Sequence, residues 1–171
     1  SGGTTFDDIA IAGSGARQLT IAGTGDSIVN GVISGGSSGF SSLSKTGSGK
    51  LTLNGTNTYG GNTYFDGGTI EIGSDSVFGS SLLSLFGDSV LQGDGVTRTI
   101  SNTVNIHGAG SQNPIYISGA SDLIFSGTFN NSGNRTVTVN NSGLTSFNDI
   151  NLSNSATDRT LTINGSGDVL V

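Results

Sequence analysis

The sequence predicts an all-β fold, a solenoid of about 7–8 stacked coils of roughly 20–25 residues each, forming a single segment over residues 1–171. Three observations lead there. The composition favours strands and turns, short apolar–polar–apolar triplets recur along the whole chain, and the sequence repeats itself on two length scales.

Glycine supplies 30 residues and charged residues only 11 %, with one proline and one histidine. Helix formers such as Glu, Lys, Gln and Ala are scarce, whereas Thr, Ser, Asn, Val, Ile and Leu abound, which favours strands. The apolar residues are clustered, so the chain does not read as disordered. With no cysteine, neither disulfides nor thiolate metal sites can hold the fold.

The triplets include Leu19-Thr20-Ile21, Leu51-Thr52-Leu53, Ile70-Glu71-Ile72, Leu83-Ser84-Leu85, Val104-Asn105-Ile106, Ile115-Tyr116-Ile117 and Val137-Thr138-Val139. Alternation at period two buries one face of a strand and solvates the other. Clusters of Gly, Asn, Ser and Asp between the triplets supply turns. An antiparallel sandwich would show hairpin turns more often and a more aromatic core.

The short repeat is visible where Arg135-Thr136-Val137-Thr138-Val139-Asn140 returns 24 residues later as Arg159-Thr160-Leu161-Thr162-Ile163-Asn164. That is one rung of a solenoid. The long repeat links residues 5–29 to 146–171. Thr5-Phe6-Asp7-Asp8-Ile9 matches Ser146-Phe147-Asn148-Asp149-Ile150 at an offset of 141, and Arg17-Gln18-Leu19-Thr20-Ile21 matches Arg159-Thr160-Leu161-Thr162-Ile163 at 142. The expectation is a tandem array of ~141-residue units, about six coils and roughly 30 Å of rod each. On that view Ser1-Gly2-Gly3 is an arbitrary start.

One stretch carries a longer ordered motif. Lys45-Thr46-Gly47-Ser48-Gly49 leads into Leu51-Thr52-Leu53, then Gly55, then Asn57-Thr58-Tyr59, and finally Gly67-Gly68-Thr69-Ile70-Glu71-Ile72. Over residues 43–73 this closely resembles the passenger-associated repeat of bacterial autotransporters. The resemblance implies a right-handed parallel β-helix, exported through an outer-membrane β-barrel and displayed at the cell surface. It also implies that the repeat serves passage and folding of the passenger and not chemistry. Read physically, Lys45–Gly49 is a tight turn before a strand, Tyr59 caps a coil corner, and Gly67-Gly68 makes the next turn. Leu51, Leu53, Ile70 and Ile72 form inward columns, with Thr52 and Glu71 facing out.

Composition also excludes partners. Six scattered basic residues in a chain of net charge −6 leave no patch for nucleic acid, and no apolar run is long enough to span a bilayer. Neighbouring repeats or copies of the chain itself, stacked end to end, and glycans or a host or neighbouring-cell surface remain as expected partners. No cofactor is expected.

Candidate chemistry reads as structure throughout. Gly47-Ser48-Gly49-Lys50 lacks the first glycine and the Ser/Thr of a phosphate loop and precedes a strand. His107, in Val104-Asn105-Ile106-His107-Gly108-Ala109-Gly110, has no nucleophile motif beside it and reads as a turn residue. The enzyme alternative is a carbohydrate lyase or hydrolase using Asp66, Glu71, Asp75, Asp88 or Asp94 with Arg98, which requires several carboxylates converging in a groove. Nearly all of these acids adjoin Gly or Ser, where Asp forms turns. Gly93-Asp94-Gly95 and Gly165-Ser166-Gly167-Asp168 do not complete a calcium-binding nonapeptide.

Thr136/Thr138 and Thr160/Thr162 read as an outward ladder that Gln18 and Lys50 break in earlier coils, so cross-rung stabilisation is expected of it and not ice binding. Phe125, Phe129 and Phe147 fill the core. A surface row of Tyr59, Tyr64 and Tyr116 would mark a sugar-binding module. The expected function is a structural or adhesive rod of an extracellular surface protein, with a carbohydrate-binding or carbohydrate-active β-helix as the alternative.

Overall fold

In the computed structural model, which describes residues 3–11, 13–35, 41–107, 114–152 and 159–171, strands stack in parallel as a three-faced β-solenoid without a helix. Ser1, Gly2 and Gly108–Gly110, where a turn is expected beside His107, lie outside the described residues.

The first face is an eight-stranded sheet: β1 (Thr4–Phe6), β4 (Ser27–Val29), β7 (Lys50–Leu53), β9 (Gly68–Ile72), β11 (Ser89–Gly93), β14 (Ile115–Ser118), β17 (Arg135–Val139) and β20 (Leu161–Gly165). The third face has seven strands: β3 (Arg17–Ile21), β6 (Ser41–Thr46), β8 (Thr63–Asp66), β10 (Leu83–Leu85), β13 (Val104–Ile106), β16 (Phe129–Asn131) and β19 (Ile150–Asn151). The second face is split. At one end lie β2 (Ile9–Ile11) and β5 (Ile33–Gly35), and at the other β12 (Arg98–Ile100), β15 (Leu123–Phe125), β18 (Thr145–Phe147) and β21 (Val169–Leu170).

Six strands of the first sheet have a neighbour on both sides, eight less the two end strands, so about six turns are flanked by coils above and below. That is slightly fewer than the 7–8 coils expected from chain length.

Parallel register turns the triplets into columns. On the first face Leu51 stands on Ile70, Ile70 on Leu91, Leu91 on Ile117 and Ile117 on Val139, all fully buried. Leu53 stands on Ile72 in the adjoining column. On the third face Leu43, Thr63, Leu83, Val104 and Phe129 succeed one another. On the second face Ile100, Phe125 and Phe147 do so. Phe125 stacks on Phe147 with ring centres 5.1 Å apart, and Phe129 meets both rings edge-on, so three aromatics close one end of the core. Most outward positions between these columns are polar, as in the run Thr20, Ser44, Tyr64, Ser84, Asn105, Asn130, Asn151, while Ile28, Val90 and Ile124 are apolar. There Asn130 Nδ2 donates to Asn105 Oδ1 at 2.8 Å.

One register differs from the short repeat. Arg135 pairs with Leu161 and not with Arg159, so Thr136 stands on Thr162 and Thr138 on Asn164. A shift of two residues keeps every side chain on its own face. Val137 therefore still lands on an apolar residue, Ile163.

Acidic and amide side chains clip the corners between coils. The backbone N–H groups of Val32, Lys50, Thr99 and Leu144 donate to Oδ1 of Asp8, Asp26, Asp75 and Asp122 at 2.7–3.1 Å, and that of Thr160 donates to Asn134 Oδ1 at 2.9 Å. Each clip joins one coil to the next, where strand pairing has already ended.

Replacing Phe125 by Ala is expected to cost about 3–5 kcal/mol in urea unfolding, because the cavity opens between two other rings. The outward Thr20→Ala should stay within about 0.5 kcal/mol of the parent. Equal costs for the two would contradict this inside–outside assignment.

Candidate functional site: the clamp across the second face

Between β5 and β12 the second face carries no strand for two coils. A parallel stack interrupted there would leave backbone groups buried without partners, at roughly 1–3 kcal/mol each. Residues 54–62 and 73–82 occupy the gap, and side chains do there what strands do elsewhere.

Asn57, only 5 % exposed, acts as a surrogate peptide. Its Oδ1 accepts the Ile33 N–H of the coil below at 2.7 Å, and its Nδ2 donates to the Val77 carbonyl of the coil above at 2.7 Å. Its backbone N–H donates to Ser76 O, and that of Thr58 to Ile33 O, both at 3.0 Å. Tyr59 is fully buried, so it fills the inside of the corner and does not cap it from outside. Its hydroxyl shares a 2.6 Å hydrogen bond with Thr63 Oγ1 and donates to Val77 O at 3.3 Å, and Thr63 Oγ1 lies 3.3 Å from Phe78 O. Asn102 ties the upper side of the gap, donating from Nδ2 to Gly79 O at 3.1 Å and Ser81 O at 2.6 Å. Gly35 must be glycine for this closure, since a Cβ there would come 2.8 Å from the Tyr59 Cα.

A second device sits at the opposite corner. Lys45 is not a turn residue: it is the penultimate residue of β6, on its inward side, between Ile21 and Phe65 in their column, and 2 % exposed. Its stem fills the apolar column while Nζ reaches the turn, donating to Gly47 O at 2.8 Å, Thr46 O at 3.2 Å and Gly67 O at 3.3 Å. The ammonium thereby gathers carbonyls of two successive turns. Burial pulls its pKa below the 10.5 of an exposed lysine, and the Asp26 carboxylate opposes that shift. Gly47, Gly67 and Gly68 have φ of 78°, 91° and 79°, the left-handed region that glycine adopts without strain. A Cβ on Gly68 would approach Gly49 O to 2.6 Å and Lys45 Nζ to 2.9 Å. Gly55 stacks on the Gly31 backbone, and Ser74 Oγ donates to its carbonyl at 3.1 Å.

The motif residues thus surround one stretch of rod, and Lys45, Asn57 and Tyr59 among them spend polar groups on its backbone. Sequence reasoning placed Asn57 and Tyr59 in the motif but missed what they do. An Asn two residues from an aromatic, amid glycines, was the available signal.

The carboxylates do not converge. Glu71 accepts Lys50 Nζ at 2.8 Å and Thr52 Oγ1 at 3.2 Å. Asp94 is gripped by Arg98 at 2.7 and 3.1 Å, and these hydrogen bonds hold its carboxyl below the usual carboxylate range. Asp75 is a corner clip, Asp66 is exposed at the end of β8, and Asp88 holds a left-handed turn with φ 64°. Among the described residues no three His, Cys, Asp or Glu side chains gather as a metal site would require. A groove of 430 Å³ brings Glu71, Gln92 and Asp94 to one wall, with both acids already engaged by their cations.

His107 stacks on Phe86 with ring centres 5.1 Å apart, and burial, then the Arg135 guanidinium, hold its pKa below 6.5. The three tyrosines form no row: Tyr59 is buried, Tyr64 faces out from the third face and Tyr116 from the first. Gly47-Ser48-Gly49-Lys50 runs straight into β7.

Fold and site together define a parallel β-solenoid whose polar cluster at the second-face gap braces the stack itself. Residues 43–72, the stretch holding Lys45, Asn57 and Tyr59, match the family model described as passenger-associated-transport-repeat. That family is of a structural type. No curated protein and no solved structure matches the chain.

Burial keeps the Tyr59 hydroxyl protonated far above the 10.0 of an exposed tyrosine. The folded state therefore holds a proton that the unfolded chain releases, so this contribution is complete below 10.0 and is lost as pH rises further. Tyr59→Phe is expected to cost about 1 kcal/mol at pH 7 and to flatten the alkaline fall in stability. An unchanged alkaline slope in denaturant titrations would contradict the buried hydroxyl.

Proposed function

We propose that this chain is a rod segment of a repetitive bacterial surface protein of the passenger type, with a structural or adhesive role and no catalysis. The match of residues 43–72 to a passenger repeat carries the reading, and the clamp supports it physically. A solenoid that must emerge as an unfolded chain and then stack outside the cell gains from a self-contained brace that needs no disulfide or metal. The inward Lys45, the Asn57 carboxamide and the Tyr59 hydroxyl are such a brace. The stacked coils make length the product, and the polar outward columns keep the flanks wetted with little charge.

The repeat of residues 5–29 at 146–171 extends this to a tandem array of ~141-residue units, with neighbouring units, other copies of the chain and surface glycans as partners. The extracellular surface is the location that the repeat family favours. The pairing of Glu71 and Asp94 with their own cations, and tyrosines on different faces, weigh against a lyase, a hydrolase or an aromatic sugar platform.

Electron micrographs of chains with one, two and four units are the test. Rods lengthening by roughly 30 Å per unit, six turns at about 4.8 Å, are expected. Particles that stay compact, or bead into separate bodies, would overturn the rod.

A further inference from the structure

The long sequence repeat does not return to the face it left. Strand β1 lies on the first face, but its sequence equivalent β18 lies on the second. Likewise β2 on the second face corresponds to β19 on the third, β3 on the third to β20 on the first, and β4 on the first to β21 on the second. All four pairs shift by one face in the same direction. The unit therefore comprises six whole turns plus one face.

The local structure is nevertheless kept. Thr4 pairs with Ser27 and Thr5 with Ile28, while their equivalents Thr145 and Ser146 pair with Val169 and Leu170. The Thr4 N–H donates to Asp26 O at 3.0 Å, and the equivalent Thr145 N–H donates to Asp168 O at 2.9 Å. The same residues build the same coil on different sides of the rod.

The coil at 145–170 also shows what lies beneath the repeat when coils precede it. Phe147 is 3 % exposed and stacks on Phe125, whereas its equivalent Phe6 is 39 % exposed on the first coil. Phe125 of a preceding unit would cover Phe6 in the same way.

We infer that consecutive units of the array are set one face apart, about 120° around a three-faced rod, so that three units close the period. This rests on the tandem array proposed above. The array then has no dedicated side. The polar column from Thr20 to Asn151 runs along the third face in one unit, along the first in the next and along the second after that. A partner that grips one face of the unit, such as a glycan layer or a neighbouring rod, meets that face on any given side once in three units, about 90 Å at 4.8 Å per rung. Binding to a flat surface would carry that spacing.

The chain contains no cysteine, so a single thiol reports position. Six-unit rods with Thr20→Cys in every unit, labelled with a small gold cluster, are expected to show successive labels stepping around the axis, with every third label on the same side about 90 Å apart. Labels in one line at about 30 Å on an intact rod would overturn the rotation while leaving the array standing. Failure of rods to form would overturn both. The present chain gives an independent reading through spin-label distances. The pair at Thr20 and Asn151, six rungs up one column, should be clearly closer than the repeat-equivalent pair at Thr20 and Thr162, which lie on different faces. Equal separations would contradict the inference.

Discussion

A parallel stack of coils stands only while the backbone of each coil finds partners in the coils above and below, and this chain breaks its own ladder for two coils on one face. The fold depends on how that gap is closed. A carboxamide donates and accepts like a peptide group, so Asn57 can stand in for a strand with a donor and an acceptor aimed at opposite neighbours. Buried hydrogen bonds contribute little net stability when made, but leaving their groups unpaired is expensive. The Asn57–Tyr59–Thr63 cluster therefore acts chiefly by preventing a penalty. With it in place, the columns either side run uninterrupted through Leu51, Ile70 and Leu91 on one sheet and Phe65 and Leu85 on the other.

The small charge inventory is distributed by the same logic. Acids sit at corners, where Asp8, Asp26, Asp75 and Asp122 take backbone N–H groups that no strand reaches. The one inward lysine among the described residues sits where two glycine turns present carbonyls. Lys45 would be costly in an apolar column without them. Lys45, Asn57 and these corner acids, which look like exceptions to the inside–outside rule, each close a place where the ladder ends.

Much of this was legible in the sequence, for physical reasons. Period-two triplets such as Leu51-Thr52-Leu53 declare the inward residues because strand geometry allows only two sides. The ordered motif over 43–73 identified the stretch that is now seen to brace the rod. Three things were hidden. Register was not legible at Arg135, because a shift by two leaves the pattern of faces unchanged. Lys45 read as a turn residue because a charged residue beside glycines normally is one, and only its stem's depth in the column shows otherwise. The gap in the second face left only the Asn57–Tyr59 spacing amid glycines as its mark, and these two resemble ordinary loop residues until the coils around them are stacked. The one-face advance of the long repeat was invisible too, as sequence fixes where a strand recurs but not which side it occupies.

The clamp is most directly examined by residue-resolved amide hydrogen exchange on the parent and on Asn57→Ala. If Asn57 replaces a strand, the Ile33 and Thr58 amides exchange slowly in the parent and 10- to 100-fold faster in the variant, about 1–3 kcal/mol of lost protection. The amides of Leu91, Ile117 and Val139, several coils away, should keep theirs. Unchanged protection at Ile33 in a folded variant would mean that its amide has another acceptor, and that the second face is not held together in the way described.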